Sequence, residues 1–321
     1  MDGARKLDDM LLAIRSFQES RVFLTALELD LFTAVGAGAG ADEIAYRIGA
    51  DVRATEMLLN ALTALGALEK REGRFQCTSE SMALGPARAG LMHTVHLWET
   101  WSTLTDCVKA GTTMRHPGVE GHQEAWTEAF IAAMHARAQR SAAQVVDAVQ
   151  AVNPQRMLDV GGGPGTFSIA FAQAHPELRV EVLDLGPVVP MARRNIREAG
   201  LSDRVTVREG DLRTDALGEA YDLILVSAIC HMLDEGENRD LLRRCARALA
   251  SGGQLVIRDF ILDPDRAGPP AAALFALNML VGTRRGNAYA ESDYRAWLLE
   301  AGFGDIRRPQ GSEELLLARR S

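Results

Sequence analysis

The residues with the clearest chemical potential begin at Asp159, which opens the sequence Asp-Val-Gly-Gly-Gly-Pro-Gly. Gly161, Gly163 and Gly165 let the chain turn sharply and leave no Cβ between the backbone and a ligand. The dinucleotide fingerprint Gly-x-Gly-x-x-Gly would place a third glycine where this sequence has Thr166. The loop therefore favours a nucleoside ligand other than a dinucleotide, with a plain tight turn as the alternative.

Two further acids, Asp184 and Asp211, follow the next two apolar segments of the chain. If these segments are parallel strands, their carboxyl ends meet at one edge of a sheet, and the acids rim one crevice with Asp159. Carboxylates there can accept hydrogen bonds from ribose hydroxyls, an adenine amino group or an ammonium, whereas they repel a polyphosphate. The acids therefore favour a nucleoside that carries positive charge. The alternative is that Asp184 and Asp211 only cap turns or helices.

His231 comes after the fourth apolar segment and the link Val-Ser-Ala-Ile-Cys, and we expect it beside the same crevice. A neutral imidazole can remove a proton from a reacting hydroxyl when an acceptor holds its other ring nitrogen. Otherwise His231 only covers the end of a strand.

Strands and helices alternate from residue 157 onward, which predicts the elements that position these residues. Apolar segments predict strands at 157–160, 180–183, 205–208, 223–226 and 255–259, and helices near 166–174, 188–199 and 238–249. A further helix is expected at 291–300 and a closing strand at 314–318. This alternation is typical of an α/β fold with a doubly wound parallel sheet.

The first 95 residues predict helices followed by a hairpin. Helical periodicity runs from Met10 to Phe32, Asp42 is expected to cap a second helix and Thr55–Leu65 to form a third. The stretch Leu68–Cys77 alternates around Gly73 and predicts a hairpin. This winged-helix pattern serves DNA binding or protein contact. Residues 1–100 hold 10 Lys and Arg against 14 Asp and Glu, so we expect dimerisation and not DNA binding.

Composition and charge exclude several classes of partner. The formal net charge of −8 argues against nucleic acid, since such binding rests on clustered Lys and Arg. The most apolar run, residues 271–282, is too short to cross a membrane. The four cysteines show no CxxC spacing and the N-terminus has no signal-peptide pattern, so a cytoplasmic protein with reduced thiols is expected. No metal site is expected, because the histidines at 93, 96, 116, 122 and 135 repeat no ligand spacing.

Taken together, these segments resemble the winged-helix-containing family of S-adenosylmethionine-dependent class I O-methyltransferases, which includes plant phenolic and bacterial polyketide-tailoring enzymes. The resemblance covers nearly the whole chain. It rests on the stretches at 158–165, 183–188, 208–212, 229–231, 251–257 and 301–303. It implies an all-α, winged-helix-like dimerisation domain at 1–95, connecting helices at 96–152, and a Rossmann-like catalytic domain at 153–321.

The resemblance also implies the cofactor, S-adenosylmethionine, and the residues that bind it. Asp184 would hold the ribose hydroxyls, Asp211 the adenine amino group, and the glycine loop the methionine end. The residues expected to bind the cofactor are Asp159, Gly161, Gly163, Gly165, Asp184, Leu185, Gly210, Asp211, Leu212 and Ser227.

Catalysis is assigned through the same resemblance. The family places its general base at the His231 position, and an acid at the end of the next strand, here Asp259, orients it. Asp259 has a shorter side chain than glutamate, so the sequence alone does not determine whether it reaches His231. The second catalytic acid of the plant enzymes falls on Ala288, and a lysine near their cofactor is replaced by Ser227.

The acceptor pocket is expected to use apolar side chains that adapt to a flat ring. The candidates are Phe130, Met134, Phe275, Asn278 and Met279, each of which could instead belong to the core. The expected reaction is methyl transfer to a hydroxyl of a small aromatic or polyketide-like molecule, with S-adenosylhomocysteine as the second product. N- or C-methyl transfer is the close alternative, and a ligand-sensing DNA-binding regulator is a more distant one.

Overall fold

The computed structural model of the protein describes residues 5–115 and 124–320, apart from the side chains of 124–126, 128 and 129. The chain divides into two compact units, Met1–Trp98 and Glu99–Ser321. The first unit combines helices with a small sheet, and the second is built on one large sheet. Among the described residues, no helix combines the length and apolar character needed to cross a bilayer.

The first unit has the helices and hairpin of a winged-helix domain. Its elements are helices α1 (Leu7–Arg15), α2 (Phe17–Glu28) and α3 (Leu31–Val35), strand β1 (Ala39–Gly40), helices α4 (Ala41–Ile48) and α5 (Val52–Ala64), strands β2 (Leu68–Arg71) and β3 (Arg74–Cys77), a 3-10 helix (Ser81–Ala83) and helix α6 (Leu84–Trp101). The unit is therefore not wholly helical, because β1, β3 and β2 form an antiparallel sheet in that order. Leu59 and Leu62 of α5 pack with Phe75 of β3, and all three are fully buried.

Two local sequence predictions are wrong in this unit. The single helix expected from Met10 to Phe32 is divided into α1, α2 and α3. The Ser16 hydroxyl donates to the Ala13 carbonyl at 2.7 Å, in competition with the helical pattern, and Asp30 adopts a left-handed φ of 50°. Asp42 lies in the first turn of α4 and does not cap it, because Gly40 occupies the N-cap position.

The second unit alternates helices and strands as the sequence predicts. Its elements are helices α7 (Leu104–Ala110), α8 (Glu124–Gln139) and α9 (Ala142–Val149), strand β4 (Arg156–Val160), helix α10 (Thr166–Ala174), strand β5 (Arg179–Asp184), helix α11 (Val189–Glu198), strands β6 (Val205–Glu209) and β7 (Tyr221–Ser227), a 3-10 helix (Cys230–Met232), helix α12 (Glu235–Ala248), strands β8 (Leu249–Arg258) and β9 (Ile261–Leu262), helix α13 (Pro270–Gly282), strand β10 (Tyr289–Ala290), helix α14 (Glu291–Glu300) and strands β11 (Phe303–Arg307) and β12 (Leu315–Arg320). Strand β11 is not predicted from the sequence, because Gly304 and Asp305 interrupt its apolar pattern.

The large sheet has seven strands in the order β11-β12-β8-β7-β4-β5-β6. Strands β4 to β8 are parallel, whereas β12 pairs antiparallel with both β8 and β11. The chain moves outward from β4 through β5 and β6, then returns to place β7 on the other side of β4. This reversal creates a topological switch point at the carboxyl ends of β4 and β7, where open α/β sheets bind ligands.

The strands bury both faces of the sheet, because alternate side chains point to opposite faces. In β4, Leu158 and Val160 join the core beneath α12 and α14, whereas Met157 joins the core beneath α9, α10 and α11. Asp159 lies on the same face as Met157, and so beneath α10. The strand that leads into the glycine loop is thus fixed from two sides.

Candidate active site

The glycine loop follows β4 at the switch point of the sheet. Gly161, Gly163 and Gly165 adopt positive φ angles of 66°, 56° and 73°, a region that favours glycine. A Cβ at Gly161 would lie 2.3 Å from the Ile229 side chain, whereas nothing lies within 4 Å of a Cβ at Gly163. In this loop, Gly161 therefore packs against the protein, whereas Gly163 leaves its backbone open to a ligand.

Asp184, the last residue of β5, faces this loop. Its carboxylate accepts hydrogen bonds from the backbone amides of Gly163 at 2.6 Å and Leu185 at 2.7 Å. Burial raises the pKa of Asp184, and the two amides oppose that shift. Each carboxylate oxygen has a second lone pair, so Asp184 can also accept from a pair of vicinal hydroxyls. This donor and acceptor arrangement fits the ribose expected there.

Asp159 lies beneath the loop and not on its open side. Only 1% of its surface is exposed, and its Oδ2 accepts a hydrogen bond from the Ser168 hydroxyl of α10 at 2.6 Å. Burial raises the pKa of Asp159 to about 7, against the opposing Ser168 bond. Its Oδ1 is buried without a hydrogen-bond partner among the described residues. The contact that Asp159 makes in this structure holds α10 to β4.

Asp211 lies beyond β6 in a local turn. Its Oδ1 accepts from the Arg213 amide at 2.8 Å, and its own amide donates to Asp215 at 2.9 Å. Both Asp184 and Asp211 therefore hold nearby backbone amides, as the capping alternative expects, and both keep lone pairs for a ligand. The Gly210 amide donates to the Asp184 carbonyl at 3.0 Å, which joins the two strand ends.

The other residues predicted to bind the cofactor border the same edge. Leu212 packs against the core, and its side chain would contact a Cβ at Gly161 at 3.5 Å. Ser227 ends β7 and lies opposite Arg258 of β8. Leu185, Gly210, Leu212 and Ser227 are all half-buried.

His231 and Asp259 form a buried hydrogen-bonded pair. His231 Nδ1 lies 2.6 Å from Asp259 Oδ1, and the His231 amide donates to Asp259 Oδ2 at 3.1 Å. Their side chains are 8% and 1% exposed, respectively. Because a carboxylate only accepts, Nδ1 carries the proton and Nε2 is the acceptor nitrogen. The aspartate therefore reaches the histidine despite its shorter side chain.

Two stacked phenylalanines surround the ring of His231. The Phe260 and Phe275 rings are 3.7 Å apart and nearly parallel, and Phe275 meets His231 edge-on at 4.7 Å between centroids. The guanidinium of Arg137, on α8, lies 4.5 Å from the centre of the Phe260 ring. The imidazole ring of His231 therefore has aromatic surface on one side.

The predicted acceptor residues fall on two helices of the second unit. On α13, Phe275, Asn278 and Met279 share one helical stripe, and Asn278 Oδ1 accepts from the indole of Trp101 at 2.9 Å. Met279 is 7% exposed and belongs to the core, whereas Phe275 contacts His231. Phe130 and Met134 are half-buried on α8.

The segment Gly286–Ala288 supports the backbone of His231. The Asn287 amide donates to the His231 carbonyl at 2.9 Å, and a Cβ at Gly286 would lie 2.4 Å from that carbonyl. Ala288 is fully buried among Leu262, Ala272 and Ala290. The position at which the resemblance places a second catalytic acid is therefore a buried alanine.

Several residues that hold the site were missed from the sequence. The Ser168 hydroxyl donates to Asp159, and the side-chain Nδ2 of Asn195 donates to the Pro164 carbonyl at 3.0 Å. Phe260, directly after Asp259, could have been recognised from its place at a strand end. The backbone carbonyl of Glu314 accepts a hydrogen bond from the Asp259 amide at 2.9 Å, and no local sequence pattern indicates this contact.

The remaining histidines show no ligand cluster within the part of the chain that the structure describes. His93 and His96 lie on α6. Burial is the larger cause that lowers the pKa of His93 to about 4, and the charge of His96 lowers it further. His116 and His122 lie outside the described residues. Among the described side chains, no three of His, Cys, Asp or Glu are grouped as metal ligands.

The geometry agrees with two family models that together cover most of the chain. The O-methyltransferase domain matches residues 101–304, and the O-methyltransferase dimerisation domain matches residues 11–84. The chain belongs to the O-methyltransferase family. The family resemblance expected from the sequence is thereby confirmed.

Known relatives match this O-methyltransferase over nearly its full length. It is 34% identical to the 3-hydroxy-5-methyl-1-naphthoate 3-O-methyltransferase of Streptomyces sahachiroi, with 90% of this chain and 87% of the relative covered. It is 29% identical to the tetracenomycin polyketide synthesis 8-O-methyl transferase of Streptomyces glaucescens, with 97% and 96% covered. The human N-acetylserotonin methyltransferase, solved with S-adenosylmethionine, has a TM-score of 0.84 at 26% identity, with both chains wholly covered.

These likenesses confirm the α/β fold with an N-terminal dimerisation domain and identify this O-methyltransferase as an S-adenosylmethionine-dependent enzyme. The crevice fits that cofactor. Asp184 offers free lone pairs at the switch point, and Gly163 leaves open space beside them.

Substitution of Gly161 by Ala is expected to abolish binding of S-adenosylhomocysteine, measured by calorimetry. The new Cβ would lie 2.3 Å from Ile229 at a φ of 66°, so the loop must move. The matched control is Gly252→Ala, since Gly252 has a φ of 72° but nothing within 4 Å of its Cβ position. Wild-type affinity in the Gly161→Ala variant would contradict this account of the loop.

Substitution of Asp159 by Asn is expected to alter the pH dependence of stability. In the unfolded chain the acid ionises near pH ~4, whereas its folded pKa is about 7, so the wild type loses stability as pH rises between these values. The asparagine side chain cannot ionise, so the melting temperature of the variant relative to wild type should rise by several degrees across this window. Parallel curves for the two proteins would show that the pKa of Asp159 is not raised by folding.

Proposed function

We propose that this enzyme transfers a methyl group to a hydroxyl of a small aromatic or polyketide-like molecule, with His231 as general base oriented by Asp259. The observation that carries the proposal is the 2.6 Å hydrogen bond between His231 Nδ1 and Asp259 Oδ1 beside the switch point. S-adenosylmethionine supplies the activated methyl group when bound. The chain must then align the acceptor and accept its proton.

The histidine and aspartate have separate tasks in this proposal. Asp259 fixes the ring with Nδ1 protonated, so that Nε2 is free to take the proton of the acceptor hydroxyl. The carboxylate then stabilises the imidazolium, as in hydrolase triads. A phenol has a pKa of about 10 and imidazole about 6.5, so proton removal must accompany methyl transfer.

An aromatic acceptor suits the surface beside the base. Phe275 contacts the His231 ring, and Asn278 lies one turn further along α13 with its orientation fixed by Trp101. The relatives from Streptomyces sahachiroi and Streptomyces glaucescens are named for O-methylation of a hydroxynaphthoate and of a polyketide. A phenolic hydroxyl on a fused or single ring is therefore the acceptor we propose.

N- or C-methylation is the second candidate, and Ala288 is the observation that favours it. A site without the second acid has less capacity to remove a proton from the acceptor. Methylation of an amine or an activated carbon depends less on proton removal than methylation of a hydroxyl does. Relatives named as an N,N-dimethyltransferase and an L-tyrosine C(3)-methyltransferase are 29% and 28% identical to this chain. Labelled S-adenosylmethionine with panels of phenols, amines and keto acids, followed by mass analysis, separates these outcomes.

The variants His231→Gln and Asp259→Asn are expected to lower kcat for a phenolic acceptor by roughly 10²- to 10⁴-fold, the usual contribution of a general base. Affinity for S-adenosylhomocysteine should stay at its wild-type value, which serves as the control for folding. An amine acceptor methylated equally well by wild type and by His231→Gln would refute the base assignment and favour the second candidate.

We further propose that the protein is a homodimer formed through residues 1–95, with residues 96–152 as connecting helices and 153–321 as the catalytic domain. Helix α1 has no buried residue, and one of its stripes exposes Leu7 by 66%, Leu11 by 44% and Ile14 by 70%. A second copy that covers this stripe would remove an apolar surface from water. Cytoplasmic location stays a prediction from the sequence.

The double variant Leu11→Glu with Ile14→Glu is expected to yield monomers by light scattering, because charge would have to be buried at the contact. Tyr46→Glu is the matched control, since Tyr46 is 89% exposed on α4 outside the stripe. A double variant that keeps the dimer mass would place the contact elsewhere.

A further inference from the structure

Helix α8 carries two adjacent stripes of side chains that contact two different parts of the active site. Ile131, His135 and Ala138 form one stripe, in which Ile131 and Ala138 are 4% and 8% exposed. Phe130, Met134 and Arg137 form the next stripe, about 100° around the helix. The first faces α10, and the second faces the end of β8 through the contact of Arg137 with Phe260.

The polar contact of the first stripe is a hydrogen bond between two side chains. His135 Nδ1 lies 2.7 Å from the hydroxyl of Thr166, and Thr166 is only 7% exposed. Thr166 begins α10 and directly follows Gly165 of the glycine loop. Burial lowers the pKa of His135. The charge of Glu198 opposes this shift, and the charge of Arg194 adds to it. A neutral ring therefore joins α8 to the residue that ends the loop.

The second stripe reaches the base from the other side. Arg137 lies over Phe260 and 3.6 Å from Glu314, whose carbonyl holds the Asp259 amide. Phe260 stacks on Phe275, which contacts His231. Phe130 and Met134 share this stripe with Arg137, so the expected acceptor side chains lie on the face of α8 that contacts Phe260 through Arg137.

We propose that His135 is a positioning residue, which holds α8 to the glycine loop through Thr166. The bond thereby couples binding of the cofactor to the ordering of α8, the helix that carries the expected acceptor residues Phe130 and Met134. The inference rests on the proposed function, because it takes the loop as the cofactor site and α8 as part of the acceptor pocket. The ring of His135 touches neither reactant in this account. Its effect passes through Thr166 to the loop, and through α8 to Phe130 and Met134.

The physical reason is that the bond joins α8 to Thr166, the first residue of α10 and the neighbour of the glycine loop. When a ligand orders residues 161–165, the first turn of α10 is restrained, and the hydrogen bond transmits that restraint to α8. Loss of the hydroxyl leaves the Nδ1 atom of His135 without this hydrogen-bond partner, so α8 is expected to loosen while the loop still binds its ligand. The effect should therefore fall on acceptor affinity and spare cofactor affinity.

Hydrogen exchange of the full-length protein, with and without S-adenosylhomocysteine, tests the coupling without any acceptor. In the wild type we expect the ligand to slow exchange in both 161–166 and 124–139. In Thr166→Val, which removes the hydroxyl but keeps the shape, protection of 161–166 should remain and that of 124–139 should be lost. His135→Phe should behave like Thr166→Val, whereas Thr166→Ser, which retains the hydroxyl, should restore protection of 124–139.

The control is His175→Phe, since His175 is a half-buried histidine at the other end of α10, where it stacks on Phe171. It should leave both protected segments as in wild type. With a phenolic acceptor, Thr166→Val should raise the acceptor KM roughly five- to tenfold with little change in kcat or in affinity for S-adenosylhomocysteine.

Two negative results can be told apart. No protection of 161–166 in the wild type would overturn the cofactor site together with the inference that rests on it. The second result is protection of 161–166 in the wild type together with the same exchange of 124–139 in wild type, Thr166→Val and His135→Phe. That result would overturn only the role of His135. A Thr166→Ser variant that fails to restore coupling would likewise overturn it, since the hydroxyl is then not what matters.

Discussion

The hydrogen bond between His231 and Asp259 is the contact on which the proposed mechanism depends. It exists because β7 and β8 are parallel neighbours, with Ser227 opposite Arg258, so the residues that follow them meet at one edge. The short aspartate suffices because its backbone is held as well, by the Glu314 carbonyl at 2.9 Å. The edge-on contact of Phe275 with His231 then places aromatic surface beside the imidazole ring. In the proposed mechanism, the base and part of the acceptor surface are therefore positioned by the same strand ends.

Burial makes negative charge costly at the switch point. Desolvation raises the pKa of Asp184, which faces the glycine loop, and of Asp159, which lies beneath the loop. A cationic group near these carboxylates would lower that cost, whereas a phosphate would add to it. The buried carboxylates therefore agree with S-adenosylmethionine, the cationic cofactor on which the family depends.

The sequence predicts those parts of the fold whose cause is local. The strands at the switch point, the glycine loop and the place of His231 directly after β7 follow from apolar periodicity and from residues at strand ends. The division of the first helix depends on a hydroxyl bond at Ser16 and a left-handed Asp30, which periodicity does not record. The bonds of His135 with Thr166 and of Ser168 with Asp159 form between segments brought together by packing. Such contacts require the positions of whole helices, which no stretch of sequence specifies alone.

The alanine at 288 narrows the chemistry that the base can support. Its side chain is fully buried against Leu262, Ala272 and Ala290, so no carboxylate could enter there without an uncompensated buried charge. The neighbouring Asn287 amide and the close approach of Gly286 serve the backbone of His231 and not its ring. In the proposed reaction, proton removal then rests on His231 and Asp259 alone. If so, acceptors whose hydroxyl is already acidic would react more readily, which favours phenols over aliphatic alcohols.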